Sequence, residues 1–497
     1  MPGPPKSSGR SEWVQKDELH NSTTLVFQVE GGLLRSSSLF PYFMLVAFEG
    51  GGVLRGLFLF LFYPLVFLLS KEIGLKIMVF ICFFGLKKEN FFIGRSVLPK
   101  FFLEDIGFEG FEVVMRCRRK VGLSELPMVM VEGFLKDYLV VDCVIGRDLK
   151  VVFGYFVGLM EDVTTTRSES LANDVFGEWK SNCHLIGFAC SNKILDHQPF
   201  LHCKEIYLVS EAEKRRWRAL PRDKYPKPLV FHDGRLAFKP NFLETLVMIM
   251  WVPFGFWLCL LRILITISLP YNMSIGILSF TGIGGRGYNQ SLAENNVDKL
   301  KKNPIKGNGK GTLYVSNHRT LLDAVSISIM IMKPVTVVTY SMSRLSEVLS
   351  PLKTFRLSRN KKEDSKLMEM LLSQGDLVVF PEGTTCREPY VLRFSPLFAE
   401  ISQDIVPVAL DVKVSMFYGT TASGYKFLDP FFFLMNPVGI YQVKILQKLP
   451  IVNTHKQSRI GIANQVQKEI GETLGFQCTN LTRKDKYMIL AGNEGVI

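Results

Sequence analysis

None of the nine cysteines sits in a C-x-x-C spacing, which leaves neither a zinc site nor a disulfide framework to build on. Thiols scattered in this way fit a reducing, cytosol-facing catalytic domain. Met1 to Thr24 is polar, of mixed charge and without an apolar run, so a cleaved secretory signal is not expected. Glu12, Asp17 and Glu18 weigh against a mitochondrial transit peptide, and the internal KDEL at Lys16 to Leu19 cannot serve for retrieval. Aromatic-basic motifs of the RNA-binding type and zinc-finger spacings are lacking, which rejects nucleic acid as a partner. There is no internal repeat, no low-complexity tract and no metal-ligand cluster.

What is present is an apolar chain that is also basic. The formal charge is +13 over 497 residues, with a mean hydropathy of +0.18, so apolar residues gather in patches and cations lie elsewhere. The length allows two or three domains. Val53 to Leu69, broken by Arg55 and Pro64, is a first candidate membrane segment, and Ile77 to Leu86 a shorter companion that would complete a helical hairpin. Each is marginal against the roughly 20 residues needed to span. Leu246 to Leu269 is the better candidate, with Trp251 and Trp257 suited to an interface and Pro253 and Arg262 interrupting it. An interfacial or re-entrant helix is as good a reading as a true span. The basic runs Arg116 to Lys120, Lys214 to Arg218 and Lys299 to Lys302 fit either anionic phosphates or solvated faces.

The chemistry lies in Ser316-Asn-His318-Arg-Thr-Leu-Leu-Asp323 and Phe380-Pro-Glu382-Gly-Thr384. Seven histidines give about a one-in-three chance of one H-x-x-x-x-D somewhere, so the first motif is weak by itself. Its context strengthens it. Gly311 to Asn317 reads as a buried strand after a Gly/Lys/Asn loop, and the apolar run from Thr320 onward as a helix, which sets His318 at the turn between them. On a helix, residues five apart stand roughly 140° apart, so His318 and Asp323 meet only if the histidine curls back over the helix start. Asp323 then fixes the tautomer of a ring whose ordinary pKa of about 6.5 suits a general base.

Lys366 to Gly375 reads as a helix with a glycine stop, Asp376 to Phe380 as a second buried strand, and Pro381 to Arg387 as the loop beyond it. Ligands of α/β layers gather beyond the carboxyl ends of strands, so His318 and Glu382 are expected at one edge. Gly383 allows close approach, Glu382, Thr384 and Thr385 offer hydrogen bonds to a polyol, and Arg387 offers a planar fork for phosphate.

Four ordered blocks, SNHRTLLD (Ser316 to Asp323), FRLSRNKKED (Phe355 to Asp364), FPEGTTCREP (Phe380 to Pro389) and IVPVAL (Ile405 to Leu410), together with LRFSPLFAE, SMFYGTT and TLGFQCTNLTRKDKYMILAG, resemble the glycerolipid acyltransferase superfamily. Within it the chain is similar to the land-plant glycerol 3-phosphate acyltransferases of the cutin and suberin type. The resemblance implies that His318 is the general base, Asp323 its orienter, and Arg359, Glu382 and Gly383 the contacts to glycerol 3-phosphate. Lys361 stands where relatives often carry a second arginine, keeping the charge without the bidentate fork.

The first half resembles the haloacid-dehalogenase-like phosphatase domain that precedes the acyltransferase in these relatives, whose Asp-x-Asp-Gly-Thr motif ends a strand. Here the strand Thr24 to Phe27 is followed by Gln28-Val-Glu30-Gly-Gly32. Gln28 cannot act as the carboxylate nucleophile. The acidic magnesium motif is reduced to Ser191-Asn-Lys-Ile-Leu-Asp-His197, a poor set of hard oxygen ligands. This domain is therefore expected to fold without phosphatase activity.

The architecture expected is α/β: a degenerate phosphatase-like domain at 1–235 with the hydrophobic hairpin near 53–86, membrane-associated helices and a linker at 236–295, and a mostly parallel acyltransferase domain at 296–497. The expected reaction moves an acyl group from acyl-CoA, as co-substrate and with no cofactor, to glycerol 3-phosphate, at sn-2 on the resemblance, giving lysophosphatidic acid. Arg359, Lys361 and Arg387 are expected to clamp the phosphate, with Gly383 and Thr384 beside it, and membrane lipids are the further partner. A lysophosphatidate acyltransferase and a non-catalytic membrane scaffold are the alternatives. The location expected is the endoplasmic reticulum membrane with the catalytic domain facing the cytosol, the mitochondrion being the alternative.

Overall fold

A computed structural model describes residues 23–161, 184–190, 200, 203–289, 311–340, 347, 350–402, 404–450 and 458–494. The 191–197 motif, the basic run at 299–302 and the KDEL at 16–19 lie outside the described residues. The chain forms two compact units, one of residues 1–232 with 239–245 and one of 233–238 with 246–497.

In the first unit the apolar strand foreseen at Thr24 is β1 (Thr23–Gln28), buried throughout. The unit also holds β2 (Arg119–Pro127), β3 (Cys143–Arg147), the hairpin β4 (Leu149–Val152) and β5 (Tyr155–Met160), β6 (His184–Ala189) and β7 (Glu205–Leu208). Five of them form a parallel sheet in the order β3-β2-β1-β6-β7. Central position and cover on both faces explain why β1 is apolar without alternation.

Helix α1 (Phe40–Leu68) breaks at Gly52, whose φ of 76° only glycine adopts readily. Before the break Phe40 to Phe48 are buried; beyond it Leu54, Leu61, Phe67 and Leu68 are exposed. Arg55 does not leave this apolar hairpin: it donates to the carbonyls of Cys82 and Phe84 at the end of α2 (Lys71–Phe83). The exposed apolar stretch thus begins at Val53, where the hydropathy placed it, and Phe40 to Phe48 before it are core.

Helix α3 (Phe242–Ser268) opens in the first unit, runs on in the second, and is followed by α4 (Tyr271–Phe280). Among the described residues two helices, α1 and α3, are long and apolar enough to cross a membrane. Within the second unit the charge that interrupts α3 points inward: Arg262 is fully buried and donates to the carbonyls of Leu434, Asn436 and Thr281. Trp251 Nε1 donates to the Met435 carbonyl at 2.8 Å. Met250, Phe254, Trp257, Leu261 and Leu264 make an exposed apolar stripe at helical spacing.

The second unit is built on β8 (Ile283–Asn289), β9 (Leu313–Ser316), β10 (Thr336–Thr339), β11 (Lys353–Arg356), β12 (Leu377–Val379), β13 (Tyr390–Val391), β14 (Asp404–Val414), β15 (Gly439–Ile445), β16 (Leu449–Pro450) and β17 (Gln477–Cys478). Eight of these make one sheet, ordered β11-β10-β12-β9-β14-β15-β8, with β16 beside β14. β11, β10, β12, β9 and β14 run parallel, and β15 and β8 run against them. Pleat alternation divides the core. Leu313, Val315, Leu377 and Val379 join Met368, Leu371, Val466 and Ile470 of α6 (Lys361–Gln374) and α7 (Arg459–Leu474), numbered after α5 (Asp323–Ile331). Val378, Val408 and Leu410 turn the other way to meet Ala324 and Ile327 of α5.

Asn317 holds the end of β9 in register. Where the backbone leaves the sheet after Ser316, the buried Asn317 amide takes over the ladder, donating to the Leu410 carbonyl and accepting the Leu410 N–H, both at 2.8 Å. Asn317→Ala leaves both backbone groups unpaired in the core, a loss expected at about 2–4 kcal/mol. Denaturant melts of the detergent-solubilised protein check this, and an unchanged midpoint would refute it.

Candidate functional site

Asp323 is fully buried and organises the turn after β9. Its carboxylate accepts from the Arg319 N–H, the Thr320 N–H, the Thr320 hydroxyl at 2.8 Å and His318 Nδ1 at 2.9 Å. These contacts consume the residues expected in the first helical turn, so α5 starts at Asp323 rather than at Thr320. An acceptor surrounded by donors is ionised and places the proton on Nδ1, which leaves Nε2 with a lone pair. The two side chains differ in access, 17% exposed for His318 against 0% for Asp323. The imidazole stacks on Phe380 at 4.4 Å.

Behind this pair lies a second layer that motif reading did not find. The Thr320 hydroxyl is already spent on Asp323, so the Tyr441 phenol, 2.5 Å away on β15, donates to it. Burial, with the Asp323 charge nearby, pushes the Tyr441 pKa well up and keeps it a donor. Arg319 is buried, donates to the Cys386 and Glu388 carbonyls, and pairs with Asp411 at 2.8 Å. It therefore ties the histidine turn to the Pro381–Arg387 loop, as does the Cys386 N–H donated to the His318 carbonyl at 2.8 Å.

β9 and β12 are parallel neighbours, so their carboxyl ends bring His318 and the Pro381–Arg387 loop to one edge of the sheet. A cavity opens there. His318, Gly383 and Thr384 line it; Arg359, Lys361, Glu382 and Arg387 do not. Glu382 is buried, accepts the Leu392 N–H at 3.3 Å, and leaves its other oxygen without a hydrogen bond. Burial raises its pKa well above the carboxylate range, opposed by the Leu392 N–H and the Arg319 charge. The carboxyl faces the protein rather than the cavity. Arg387 is also buried, 3.7 Å from Asp233 and donating to the Thr420 hydroxyl. Arg359 and Lys361 are exposed at the start of α6, Arg359 in left-handed backbone with φ 69° and its N–H on Asp364. Burial and the Asp364 charge raise the pKa of the lining Tyr340, against the opposing charge of Arg359.

The cavity lining is mixed. Leu321, Val337, Leu357, Met368 and Phe398 are its apolar residues; Thr384, Thr385, Thr420, Lys426, Arg483 and Lys486 are polar or cationic. The last two come from α8 (Arg483–Ala491), which the sequence reading left without a role. Cys386 is buried and its thiol is pushed up to about 12, chiefly by burial, so it is no nucleophile.

In the first unit Gln28 ends β1 and accepts the Cys190 N–H at 3.4 Å. Glu30 is turned onto the end of β2, accepting from the Ser124 hydroxyl and the Glu125 and Leu126 N–H groups. Lys214, from a run expected at the surface, is buried and donates to the Glu30 carbonyl. No cluster of three metal-ligating side chains occurs among the described residues.

Because Glu382 is buried and accepts the Leu392 N–H, a bond that a glutamine oxygen can also accept, Glu382→Gln is expected to keep the Michaelis constants and turnover within about threefold, while Glu382→Ala opens the loop and lowers turnover. Steady-state kinetics of the two variants check this; a Gln variant as damaged as Ala would show that the negative charge is needed.

Residues 24–209 match the family described as glycerol-3-phosphate acyltransferase RAM2-like, HAD-like domain, and residues 293–411 match the acyltransferase family. The chain is 50% identical to "Probable glycerol-3-phosphate acyltransferase 3" of Arabidopsis thaliana, over 99% of this chain and 94% of the relative. It is 51% identical to "Probable glycerol-3-phosphate acyltransferase 2" of the same plant, over 97% and 91%. Against "Glycerol-3-phosphate acyltransferase RAM2" of Petunia hybrida identity is 42%, over 94% and 97%.

Proposed function

Since the chain belongs to the plant glycerol-3-phosphate acyltransferase family, we propose that it transfers an acyl group from acyl-CoA to the sn-2 hydroxyl of glycerol 3-phosphate and releases lysophosphatidic acid. The observation that carries this reading is the 2.9 Å contact between His318 Nδ1 and the sealed Asp323 carboxylate, beside a cavity lined by both apolar and cationic residues. The Nε2 lone pair takes the hydroxyl proton as the oxygen attacks the thioester carbonyl. Asp323 stabilises the imidazolium, and the proton then leaves with the thiolate as free thiol. The apolar lining suits an acyl chain. Gly383 and Thr384 meet the glycerol, while Arg359 and Lys361 at the start of α6 attract the anionic substrates. The sn-2 assignment rests on family resemblance.

The phosphate stays on the product in this proposal. Gln28 has no nucleophilic oxygen anion, and Glu30 is engaged with the end of β2. Neither supports magnesium binding or an aspartyl phosphate. The exposed apolar stripes of α1 and α3 support association with a membrane.

His318→Ala is expected to lower turnover at least about 100-fold without loss of fold. Asp323→Asn is expected to lower it less, by upsetting the tautomer. Radiolabelled acyl-CoA offered with glycerol 3-phosphate and lysophosphatidate side by side tests the acceptor, and regiochemical analysis of the product tests the position. A preference for lysophosphatidate, release of inorganic phosphate, or retained turnover in His318→Ala would each refute the corresponding step.

A further inference from the structure

The tip of the hairpin in the first unit carries a residue that its own turn disfavours. Val151 pairs with Phe156 and Val152 with Tyr155, so β4 and β5 are joined by the two residues Phe153 and Gly154. Both take left-handed backbone, with φ 49° and 82°. Tight hairpin turns of this kind are filled by Asn-Gly, Asp-Gly or Gly-Gly, because a bulky side chain is strained there. Phe153 is also 96% exposed. It therefore meets two penalties, one in its backbone and one in water, and the packing of the hairpin offsets neither.

The surroundings of the tip are apolar and cationic. Leu86 to Lys88 run beside β5: the Phe156 N–H donates to the Leu86 carbonyl and the Lys88 N–H to the Gly154 carbonyl, both at 2.9 Å, and Lys87 bridges Tyr155. Side chains directly opposite each other share one face of a sheet, so Val152, Tyr155 and Lys87 stand together, all exposed. Lys150 joins that face two residues back along β4. Gly158, at φ 75°, lets β5 approach α2 so closely that a Cβ there would lie 2.9 Å from the Phe80 Cα. Phe80 and Phe84, exposed and with rings 5.1 Å apart, continue the apolar surface. Residues 86–90 and 150–156 carry Lys87, Lys88 and Lys150 against one acid, Glu89, which pairs with Lys87 at 3.4 Å. Asp148 and Glu161 lie at the opposite end of the hairpin, where the Glu161 N–H donates to the Asp148 carbonyl.

We propose that this tip inserts into the headgroup boundary of an anionic bilayer, with Phe153 entering the acyl region and Lys87, Lys88 and Lys150 meeting lipid phosphates. The inference deepens the membrane association proposed above and rests on it. An apolar tip set among ammonium groups matches a boundary that is apolar on one side and anionic on the other. A single side chain projecting from a two-residue turn offers little of the area that a stable protein interface needs. A lipid phase takes it up without a fitted pocket. The same unit exposes Leu54, Leu61, Phe67 and Leu68 beyond the break at Gly52, apolar surface that a lipid phase also covers.

The turn itself supplies a variant that separates insertion from folding. The experiment uses the full-length, detergent-solubilised protein diluted into vesicles. Asparagine is favoured in left-handed backbone, so Phe153→Asn is expected to unfold in denaturant no earlier than the wild type. Its partition onto vesicles of phosphatidylcholine with phosphatidylserine is expected to fall about tenfold. Lys87→Gln, Lys88→Gln and Lys150→Gln combined are expected to lower the preference for those vesicles over phosphatidylcholine alone by at least about threefold. Phe153→Trp reports insertion directly: its emission, above the baseline of the five tryptophans already present, is expected to be quenched by lipids brominated on the acyl chain. Wild-type protein that binds no vesicle would refute the membrane association and the tip with it. Vesicle binding with Phe153→Trp unquenched, or with Phe153→Asn partitioning like the wild type, would overturn the tip alone. An unchanged preference in the lysine variant would overturn the pairing with anionic headgroups.

Discussion

One buried carboxylate sets the geometry of the acyltransferase unit. Asp323 accepts hydrogen bonds from two backbone amides, a hydroxyl and an imidazole, so the same group that shapes the turn after β9 also decides which nitrogen of His318 is protonated. Tyr441 and Thr320 extend that hydrogen-bonded support to the antiparallel strand β15. Local fold and base chemistry therefore cannot be altered independently here.

Around this centre, polar groups divide between scaffold and cavity. Arg319, Glu382 and Arg387 sit in or beside the motifs yet point into the protein, where they join the histidine turn, the Pro381–Arg387 loop and the Asp233 segment. The cavity-facing cations come instead from α8 and the loop before Asp429. A motif can thus mark the framework of a site while the residues that meet a ligand lie elsewhere in the chain.

Much of this was legible in sequence. The β-forming residues and flanking loop or stop signals around Leu313 and Leu377 announced two buried strands, and the pairing of His318 with Asp323 was expected only with the histidine ahead of the helix, where the structure has it. The phosphatase-like half announced itself by the buried strand before Gln28. Legibility failed where function depends on long-range contact. Tyr441 is 121 residues from Thr320 and Lys486 is 102 from Thr384, with no local pattern linking them. It failed also where side-chain direction decides: Glu382 and Arg387 have the right chemistry for a substrate, but only packing reveals that they are turned inward. Hydropathy placed the exposed stretch from Val53 correctly, since Phe40 to Phe48, just as apolar, is set apart from it by the break at Gly52.

Arg262 has a mechanical meaning. A guanidinium pinned at the middle of α3 by three carbonyl groups stops the helix from rolling about its own axis, since a quarter turn would strand a buried cation without acceptors, at a cost of several kcal/mol. The side of α3 that carries Met250, Phe254, Trp257, Leu261 and Leu264 to the exterior is therefore chosen by the fold itself.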